Sequence, residues 1–215
     1  MMIKVYGRAS SSNVQAVLWG LEEMGLAYEQ LDYGFTFGGL DTPEFRAMNP
    51  HGKIPVLQDG DTVVWESAAI LRYLATAYGT APFWPEDPGA RARVDMWAEW
   101  AKNSVAAQFT GPVFWLAVRI KPEKRNWTVI QRNVARLEAE MTHAGRVLAQ
   151  QAYLAGPDLT VADIALGHVL YRYFDIDIQR ANMPNLRAYY DRLTERAAYR
   201  NTVMTSYEML RDSFG

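Results

Sequence analysis

The amino-acid sequence predicts a small α/β domain with a mixed four-stranded sheet, followed by an all-α domain. Three observations indicate this fold class. Strand and helix patterns alternate up to about residue 79, a stretch rich in proline and glycine follows, and beyond residue 90 apolar residues recur almost entirely at helical spacing. The 215 residues are enough for two modest hydrophobic cores. We therefore expect the first domain over residues 1–79, a linker over 80–90 and the helical domain over 91–215.

The first domain has its elements in the order β-α-β and then β-β-α. Residues 2–6 form a short apolar strand, and a polar loop follows over 7–13. Apolar residues then recur at helical spacing until Gly25, which ends the helix, and a second strand is predicted over 28–31. Residues 42–48 have the pattern of a short helix or turn. A parallel crossover followed by a hairpin builds a small mixed sheet with helices against it.

The hairpin region of this domain predicts the edge of a pocket. Lys53 and a β-branched residue precede Pro55, and a strand follows at once. The Asp-Gly pair at 59–60 predicts a tight turn between two strands, and Glu66 and Ser67 open the next helix. This region would suit a small, acidic, peptide-like ligand. It offers a backbone that is open to pairing, a nearby cation and free amides at a helix N-terminus.

The second domain is predicted to be helical because its apolar residues form stripes. Its best-defined helix start combines Thr160, which can cap the amide of Asp163, with the Asp163 carboxylate, which can reach back to the amide of Thr160. We interpret this capping box as a structural device that fixes a buried helix over 160–174. The two stripes before it comprise Val94, Trp97, Trp100 and Ala101, and then Val129, Ile130, Val134, Leu137, Met141, Ala144 and Leu148.

The composition excludes several functions. A formal net charge of −2 provides no basic excess for nucleic acid or anionic membrane. Cysteine is absent, so any thiol chemistry must use a thiol from a ligand. No histidine has a metal-ligand spacing with a partner, and we expect no metal. The N-terminal residues lack the apolar region of a signal peptide, and no apolar run approaches the roughly 20 residues that span a bilayer. We therefore expect a cytoplasmic protein that binds no membrane.

Motifs in four places resemble those of one known family. The first domain contains G-K-I-P-V-L and E-S-A-A-I, the linker is rich in proline, and the helical domain contains L-T-V-A-D-I-A. In this order and spacing they make nearly the whole chain similar to the cytosolic glutathione transferase superfamily. The resemblance implies a glutathione transferase fold with a thioredoxin-like first domain, glutathione as co-substrate, a role in detoxification, and a homodimer.

The first loop indicates the branch of that superfamily. From Ser11 onward it is similar to the S-x-N-x-x-K-V pattern of bacterial, theta-like, serine-type members, although Ala16 stands where lysine or arginine is common. The cysteine of beta and omega members is missing, so their disulfide-exchange chemistry is not expected.

The resemblance also implies how glutathione is held. The bond before Pro55 is cis in this family, and it turns the backbone of Ile54 outward to pair with the cysteinyl part of the ligand. Glu66 and Ser67 bind the γ-glutamyl end, and two cations, Lys53 and His51, bind the glycine carboxylate. Alternatively, the cations are solvated loop residues and the Glu-Ser pair is an ordinary helix start. The implied binding residues are Lys53, Ile54, Pro55, Glu66, Ser67 and His51.

Activation of the thiol requires a hydrogen-bond donor to sulfur. A free thiol has a pKa of about 8.5, so little thiolate forms at pH 7 without help. The family pattern selects Ser11 as the hydroxyl donor and Asn13 as a second donor, while Ser10 and Ser12 stay candidates because they differ by one position. The alternative is that Ser12 or Asn13 only caps the following helix.

The leading function is conjugation of glutathione to small apolar electrophiles. A second possibility keeps glutathione but changes the outcome to dehalogenation, ether cleavage, peroxide reduction or isomerisation, and a third is a non-catalytic interaction module. Aromatic residues of the helical half are candidates for the electrophile site, although aromatic residues at helical spacing are more often core. These candidates are Phe109, Phe114, Trp115 and Tyr171, and those considered spare for a dimer surface are Phe83, Trp84 and Trp97.

Overall fold

A computed structural model describes residues 2–214, which divide into two units. The first unit comprises residues up to Thr80 together with Ala197–Thr205. The second comprises residues 81–196 together with the C-terminal residues from Ser206 onward. The sequence places residues 197–205 in the helical half, whereas the structure groups them with the sheet.

The first unit is built on a mixed four-stranded sheet, as the sequence predicts. The strands are β1 (Ile3–Tyr6), β2 (Tyr28–Leu31), β3 (Val56–Asp59) and β4 (Thr62–Trp65), in the order β2-β1-β3-β4. The first two strands pair in parallel, and the other two pairs are antiparallel. The β3–β4 hairpin turns at Gly60, where φ is 58° and glycine is the favoured residue.

In the N-terminal part of the first unit, two helices lie between strands and a third follows the last strand. Helix α1 (Ser12–Glu23) buries the apolar face that its helical spacing predicts, and α3 (Ser67–Ala77) packs beside it. Helix α2 (Pro43–Met48) is short and begins at Thr42, whose side chain accepts a hydrogen bond from the amide of Phe45. The shared core comprises Ile3, Val5, Val14, Val17, Leu18, Leu21, Leu57, Ile70 and Leu74.

Aromatic packing explains why the late segment joins the first unit. Trp19 of α1 is fully buried, and its ring meets the ring of Tyr199 edge to face with 4.8 Å between centroids. Tyr199 lies in a short helix of six residues, Ala197–Thr202, and is also fully buried. Such a contact across the length of the chain leaves no local signal in the sequence.

The second unit is mainly helical. Helix α4 (Pro88–Trp100) begins after Asp87, whose side chain caps the amide of Ala90. The chain then continues into a partly π-helical stretch that ends at Arg119. The π-helical stretch contains the short α5 (Ala107–Phe109). The remaining long helices are α6 (Trp127–Leu148), α7 (Val161–Asp175) and α8 (Pro184–Thr194). Among residues 2–214, no helix is both long and apolar enough to cross a bilayer.

The capping box at the start of α7 is present as the sequence predicts. The Asp163 carboxylate accepts hydrogen bonds from the amide of Thr160 at 2.8 Å and from its hydroxyl at 3.1 Å. It also accepts from the amide of Leu154 and from the hydroxyl of Tyr189, both at 2.9 Å. Asp163 is fully buried, and burial raises its pKa to about 6 even though all four donors lower it. This carboxylate therefore joins three segments of the second unit.

Candidate functional site

The first loop of the sheet unit lies directly against the segment with the cis-proline. The bond Ile54-Pro55 is cis. A methyl group added at Gly7 would lie 3.1 Å from Cβ of Ile54 and 2.6 Å from Cγ2 of Val14, and φ of Gly7 is 150°. Only glycine fits this position, because a side chain would push the loop away from Ile54. The loop that follows Gly7 therefore starts beside the predicted ligand-pairing backbone.

The four candidate donors of the first loop lie in different surroundings. Ser10 and Ser12 are buried, with 5% and 8% of their surface exposed. Ser11 is half-buried and is the N-cap residue of α1, but its side chain makes no capping hydrogen bond. Its backbone carbonyl accepts from the amide of Gln15 at 2.9 Å. Among these serines, Ser11 has a hydroxyl that is both accessible and not used by the helix.

The fourth candidate, Asn13, links the starts of two helices. Its side-chain oxygen lies 3.4 Å from the hydroxyl oxygen of Ser67, which donates to it. Asn13 is in the first turn of α1, and Ser67 is the first residue of α3. The two helix N-termini therefore converge, and both carry partial positive charge from their unpaired amides. Such a corner favours an anion or a thiolate.

Glu66 has a strained backbone at the start of α3. Its φ of 71° is a left-handed conformation that residues other than glycine seldom adopt. The residue is exposed, and its side chain makes no capping hydrogen bond to the helix. Strain of this kind persists only where surrounding structure imposes it, and it concentrates at functional sites. The conformation leaves the Glu66 carboxylate in solvent beside the amides that open α3.

The loop over residues 49–53 is shaped by one buried amide. Asn49 is 2% exposed; its side chain donates to the carbonyl of Lys53 at 2.8 Å and accepts from the amide of His51 at 3.0 Å. The Lys53 side chain is exposed and has no hydrogen-bond or ion-pair partner within residues 2–214. The ring of His51 instead packs edge to face on Trp65, at 5.0 Å between centroids. Lys53 is thus available to a ligand at the mouth of the site.

Two supporting residues were not identified from the sequence. Gln15 is fully buried, and its side-chain amide donates to the carbonyl of Ala9 at 2.9 Å, which holds the loop before Ser11 in place. Asn49 plays the corresponding role for the loop before Pro55. A polar residue inside the apolar stripe of α1 is a signal for Gln15. Asn49 stands in an ordinary Asn-Pro turn, where nothing distinguishes it.

The aromatic candidates for the electrophile site are only partly available. Phe109 and Phe114 are each 1% exposed, and their rings pack together at 5.9 Å in the core of the second unit. Of the two alternatives that the sequence leaves open, these residues therefore belong to the core and do not line a ligand wall. Trp115 is 41% exposed and Tyr171 is half-buried, so these two side chains keep accessible surface. Within the sheet unit, the Tyr6 hydroxyl donates to the side chain of Gln58 at 2.9 Å, which links β1 to β3.

Comparison with family models covers both units. A model described as "Glutathione S-transferase, N-terminal domain" matches residues 1–76, and one described as "Glutathione S-transferase, C-terminal domain" matches residues 124–192. Within residues 2–214, no three histidine, aspartate or glutamate side chains come together as a metal site requires.

Named relatives span nearly the whole chain. Glutathione S-transferase GstB of Escherichia coli (strain K12) is 38% identical over 205 residues, which cover 94% of this chain and 98% of that protein. Probable glutathione S-transferase GSTF1 of Oryza sativa subsp. japonica is 32% identical over 205 residues, which cover 90% of this chain and 92% of that protein. Among solved structures, the theta class glutathione S-transferase of Xanthomonas axonopodis pv. citri with glutathione bound is 42% identical, with a TM-score of 0.90 over 95% of this chain and 98% of that chain.

These similarities define the class of protein. A thioredoxin-like sheet unit followed by a helical unit is the arrangement that the two family models describe in order along the chain. The chain therefore belongs to the cytosolic glutathione S-transferase superfamily, a family of enzymes. The fold class, the family and the enzyme class predicted from the sequence are confirmed.

Proposed function

We propose that this glutathione S-transferase takes glutathione as co-substrate and activates its thiol for attack on small hydrophobic electrophiles. The observation that carries the proposal is the contact between Asn13 and Ser67, which joins the N-termini of α1 and α3 at 3.4 Å beside the cis-proline segment. Two partial positive charges beside an accessible hydroxyl favour a thiolate over a thiol. A related theta class structure contains bound glutathione, which supports the same ligand here.

The proposed binding mode assigns each end of glutathione to a different part of the sheet unit. The γ-glutamyl carboxylate accepts from the Ser67 hydroxyl and from amides that open α3, while Glu66 faces the ammonium group. The cysteinyl backbone pairs with Ile54, which Pro55 holds in the outward orientation. Lys53 meets the glycine carboxylate. His51 has a smaller part, because its ring is already packed on Trp65.

The electrophile and the biological setting belong to the same proposal. We place conjugation of apolar electrophiles, as in detoxification, ahead of dehalogenation, ether cleavage, peroxide reduction and isomerisation because it is complete after one attack by the activated thiol, with no further step on the adduct. In conjugation, the thiolate sulfur forms a bond to the electrophilic carbon and the leaving group departs with its electron pair. A cytoplasmic location stays a prediction.

Affinity chromatography and product analysis test this function. The protein is expected to bind immobilised glutathione, and a panel of electrophiles with products identified by mass spectrometry is expected to yield thioether conjugates. Retention on the column without any product from the panel would favour the non-catalytic interaction module. Products that contain no thioether would favour one of the other glutathione-dependent reactions.

Replacing Ser67 by alanine is expected to weaken glutathione binding about tenfold or more, because one hydrogen bond to a carboxylate is worth roughly 1.5–3 kcal/mol. Isothermal titration calorimetry measures the change. Ser206→Ala, an exposed serine of the second unit, is the matched control and should bind as the parent does. Equal affinity in Ser67→Ala and the parent would show that the γ-glutamyl end lies elsewhere.

We also propose a symmetric homodimer. Met96 is 59% exposed on α4, and Trp97 beside it is half-buried, so this helix has apolar surface to cover. Trp84 is not available for that surface, contrary to the expectation from the sequence. It is 7% exposed, with the guanidinium of Arg91 5.5 Å from its ring centroid.

Sedimentation at micromolar concentration is expected to give twice the mass of the chain. Met96→Glu places a charge on the proposed interface and should shift the mass toward the monomer. Met209→Glu, at a methionine that is 39% exposed on the second unit, is the matched control. A parent protein that sediments only as monomer would contradict the homodimer.

A further inference from the structure

A small cavity in the second unit lies outside every residue assigned to glutathione. Its volume is about 190 Å³. It is lined by residues from four segments: the end of the π-helical stretch, the start of α6, the turn after α7 and the C-terminal segment. These residues are Ala117, Val118, Arg125, Trp127, Asp175, Ile176, Asp177, Tyr207 and Arg211. The wall thus combines an apolar floor with two charges of each sign.

The guanidinium groups of Arg125 and Arg211 are held by hydrogen bonds that use only part of their N–H donors. Arg125 donates to the carbonyl of Ile120 and to the carboxylate of Asp212, both at 2.8 Å, and its side chain is only 12% exposed. Arg211 holds Glu208 through two bonds of 2.7 Å. Each arginine has five N–H donors, so each keeps donors beyond these bonds. Both arginines line the cavity, so a carboxylate bound there would accept from these remaining donors.

The opposite charge is also available. Asp175 accepts a hydrogen bond from the hydroxyl of Tyr207, which is 4% exposed. Asp177 has neither a hydrogen-bond nor an ion-pair partner within residues 2–214. The indole N–H of Trp127 is likewise without an acceptor in that range, and 45% of this side chain is exposed. An unpaired carboxylate beside an exposed aromatic ring suits an ammonium group.

We propose that this cavity binds a small zwitterion, an α-amino acid with an apolar side chain. Its carboxylate lies on Arg125 and Arg211, its ammonium group on Asp177, and its side chain on the apolar floor. The volume corresponds to roughly six waters at about 30 Å³ each, which suits a molecule of that size. Asp212 and Glu208 already pair with the two arginines, so the match to a zwitterion is local: its carboxylate uses the remaining N–H donors, and its ammonium group uses Asp177.

Three probes of nearly equal size test the charge requirement by calorimetry. L-leucine has both charges, L-leucinamide only the positive one, and 4-methylpentanoate only the negative one. L-leucine is expected to bind saturably and at least about tenfold more tightly than either of the others. It should also slow amide hydrogen exchange in residues 206–214, because the ligand contacts Arg211 in that segment. Saturable binding of L-leucinamide as tight as that of L-leucine would overturn the proposal.

Variants locate the binding within the unit. Asp177→Asn removes the ammonium partner without changing its shape and is expected to weaken L-leucine binding about tenfold or more. Asp158→Asn makes the same charge change at an exposed residue elsewhere in the second unit and should leave binding unchanged. No saturable heat with L-leucine, or equal affinity in both variants, would show that the cavity is not an amino-acid site. Neither outcome depends on glutathione, so the proposed enzymatic function is tested separately.

Discussion

Replacing Asp163 by alanine is expected to lower the free energy of unfolding by about 3–5 kcal/mol, because several buried donors lose their charged acceptor together. The amide of Leu154, the amide and hydroxyl of Thr160 and the hydroxyl of Tyr189 all converge on this carboxylate, at 2.8–3.1 Å. Asp163 is fully buried, so water cannot readily take its place. Urea unfolding followed by circular dichroism measures the loss.

Two further variants separate the helix cap from the wider network. Thr160→Val removes one hydroxyl and should cost only about 1 kcal/mol, the usual value of an N-cap. Asp163→Asn keeps the shape but offers one acceptor oxygen, so its cost should lie between those of Thr160→Val and Asp163→Ala. If Asp163→Ala is no more harmful than Thr160→Val, the bonds to Leu154 and Tyr189 contribute little and the aspartate is only a cap.

The same carboxylate gives the stability a predictable dependence on pH. Burial raises its pKa in the folded protein to about 6, above its ordinary value of 3.8. A folded acid with a raised pKa binds its proton more readily than the unfolded chain does. Its contribution to stability is therefore complete below pH 3.8 and is lost as the pH rises through 6. The stability difference between the parent and Asp163→Asn should accordingly be larger at pH 4.5 than at pH 7.

The Asp163 network also shows which features of the fold the sequence predicts. Thr160 and Asp163 are three residues apart, so their reciprocal bonds follow from local helix geometry and are visible in the sequence. The contacts from Leu154 and Tyr189 depend on where another loop and another helix lie. The strands, the hairpin and α7 are likewise set by local patterns, and the sequence predicts them correctly. The packing of Tyr199 on Trp19 joins distant parts of the chain, and the sequence does not predict it. Aromatic stripes likewise predicted Phe109 and Phe114 as possible ligand contacts, although tertiary packing buries both.

For the candidate site, the sequence predicts the segments that contribute to it but not every residue that shapes it. The motifs singled out the first loop, the cis-proline segment and the start of α3; the structure places Gly7 of that loop beside Ile54, and Asn13 beside Ser67. They favoured Ser11 by alignment alone and left Ser10 and Ser12 as candidates, since neighbouring residues in a loop differ chiefly in the direction of their side chains. They also did not identify Gln15 and Asn49, whose side chains bond to the backbone of the two loops. Supporting residues of this kind act through geometry that exists only after folding.

Ser11→Ala is expected to raise the pKa of bound glutathione thiol by about one to two units, since a charge-assisted hydrogen bond is worth roughly 1.5–3 kcal/mol. Ser11 is the N-cap residue of α1, yet its side chain takes no part in capping, so the helix should tolerate the change. Glutathione affinity should stay nearly unchanged, because in the proposed binding mode Lys53 and Ser67 hold the carboxylates. Turnover at pH 7 should fall as the thiolate fraction declines, by at most about 10- to 100-fold, and higher pH should restore part of it.

Titration of the thiolate absorbance in the binary complex identifies the donor directly. The same measurement on alanine variants at Ser10, Ser12 and Asn13 provides the controls, and the largest upward shift is expected for Ser11→Ala. Ser10 and Ser12 are buried, so their variants should alter stability more than the thiol pKa. Asn13→Ala also removes the acceptor that the Ser67 hydroxyl uses without ligand, which leaves this hydroxyl free to donate to the carboxylate, so binding should not weaken on that account. If Asn13→Ala shifts the titration while Ser11→Ala does not, the amide activates the thiol and the role proposed for Ser11 is wrong.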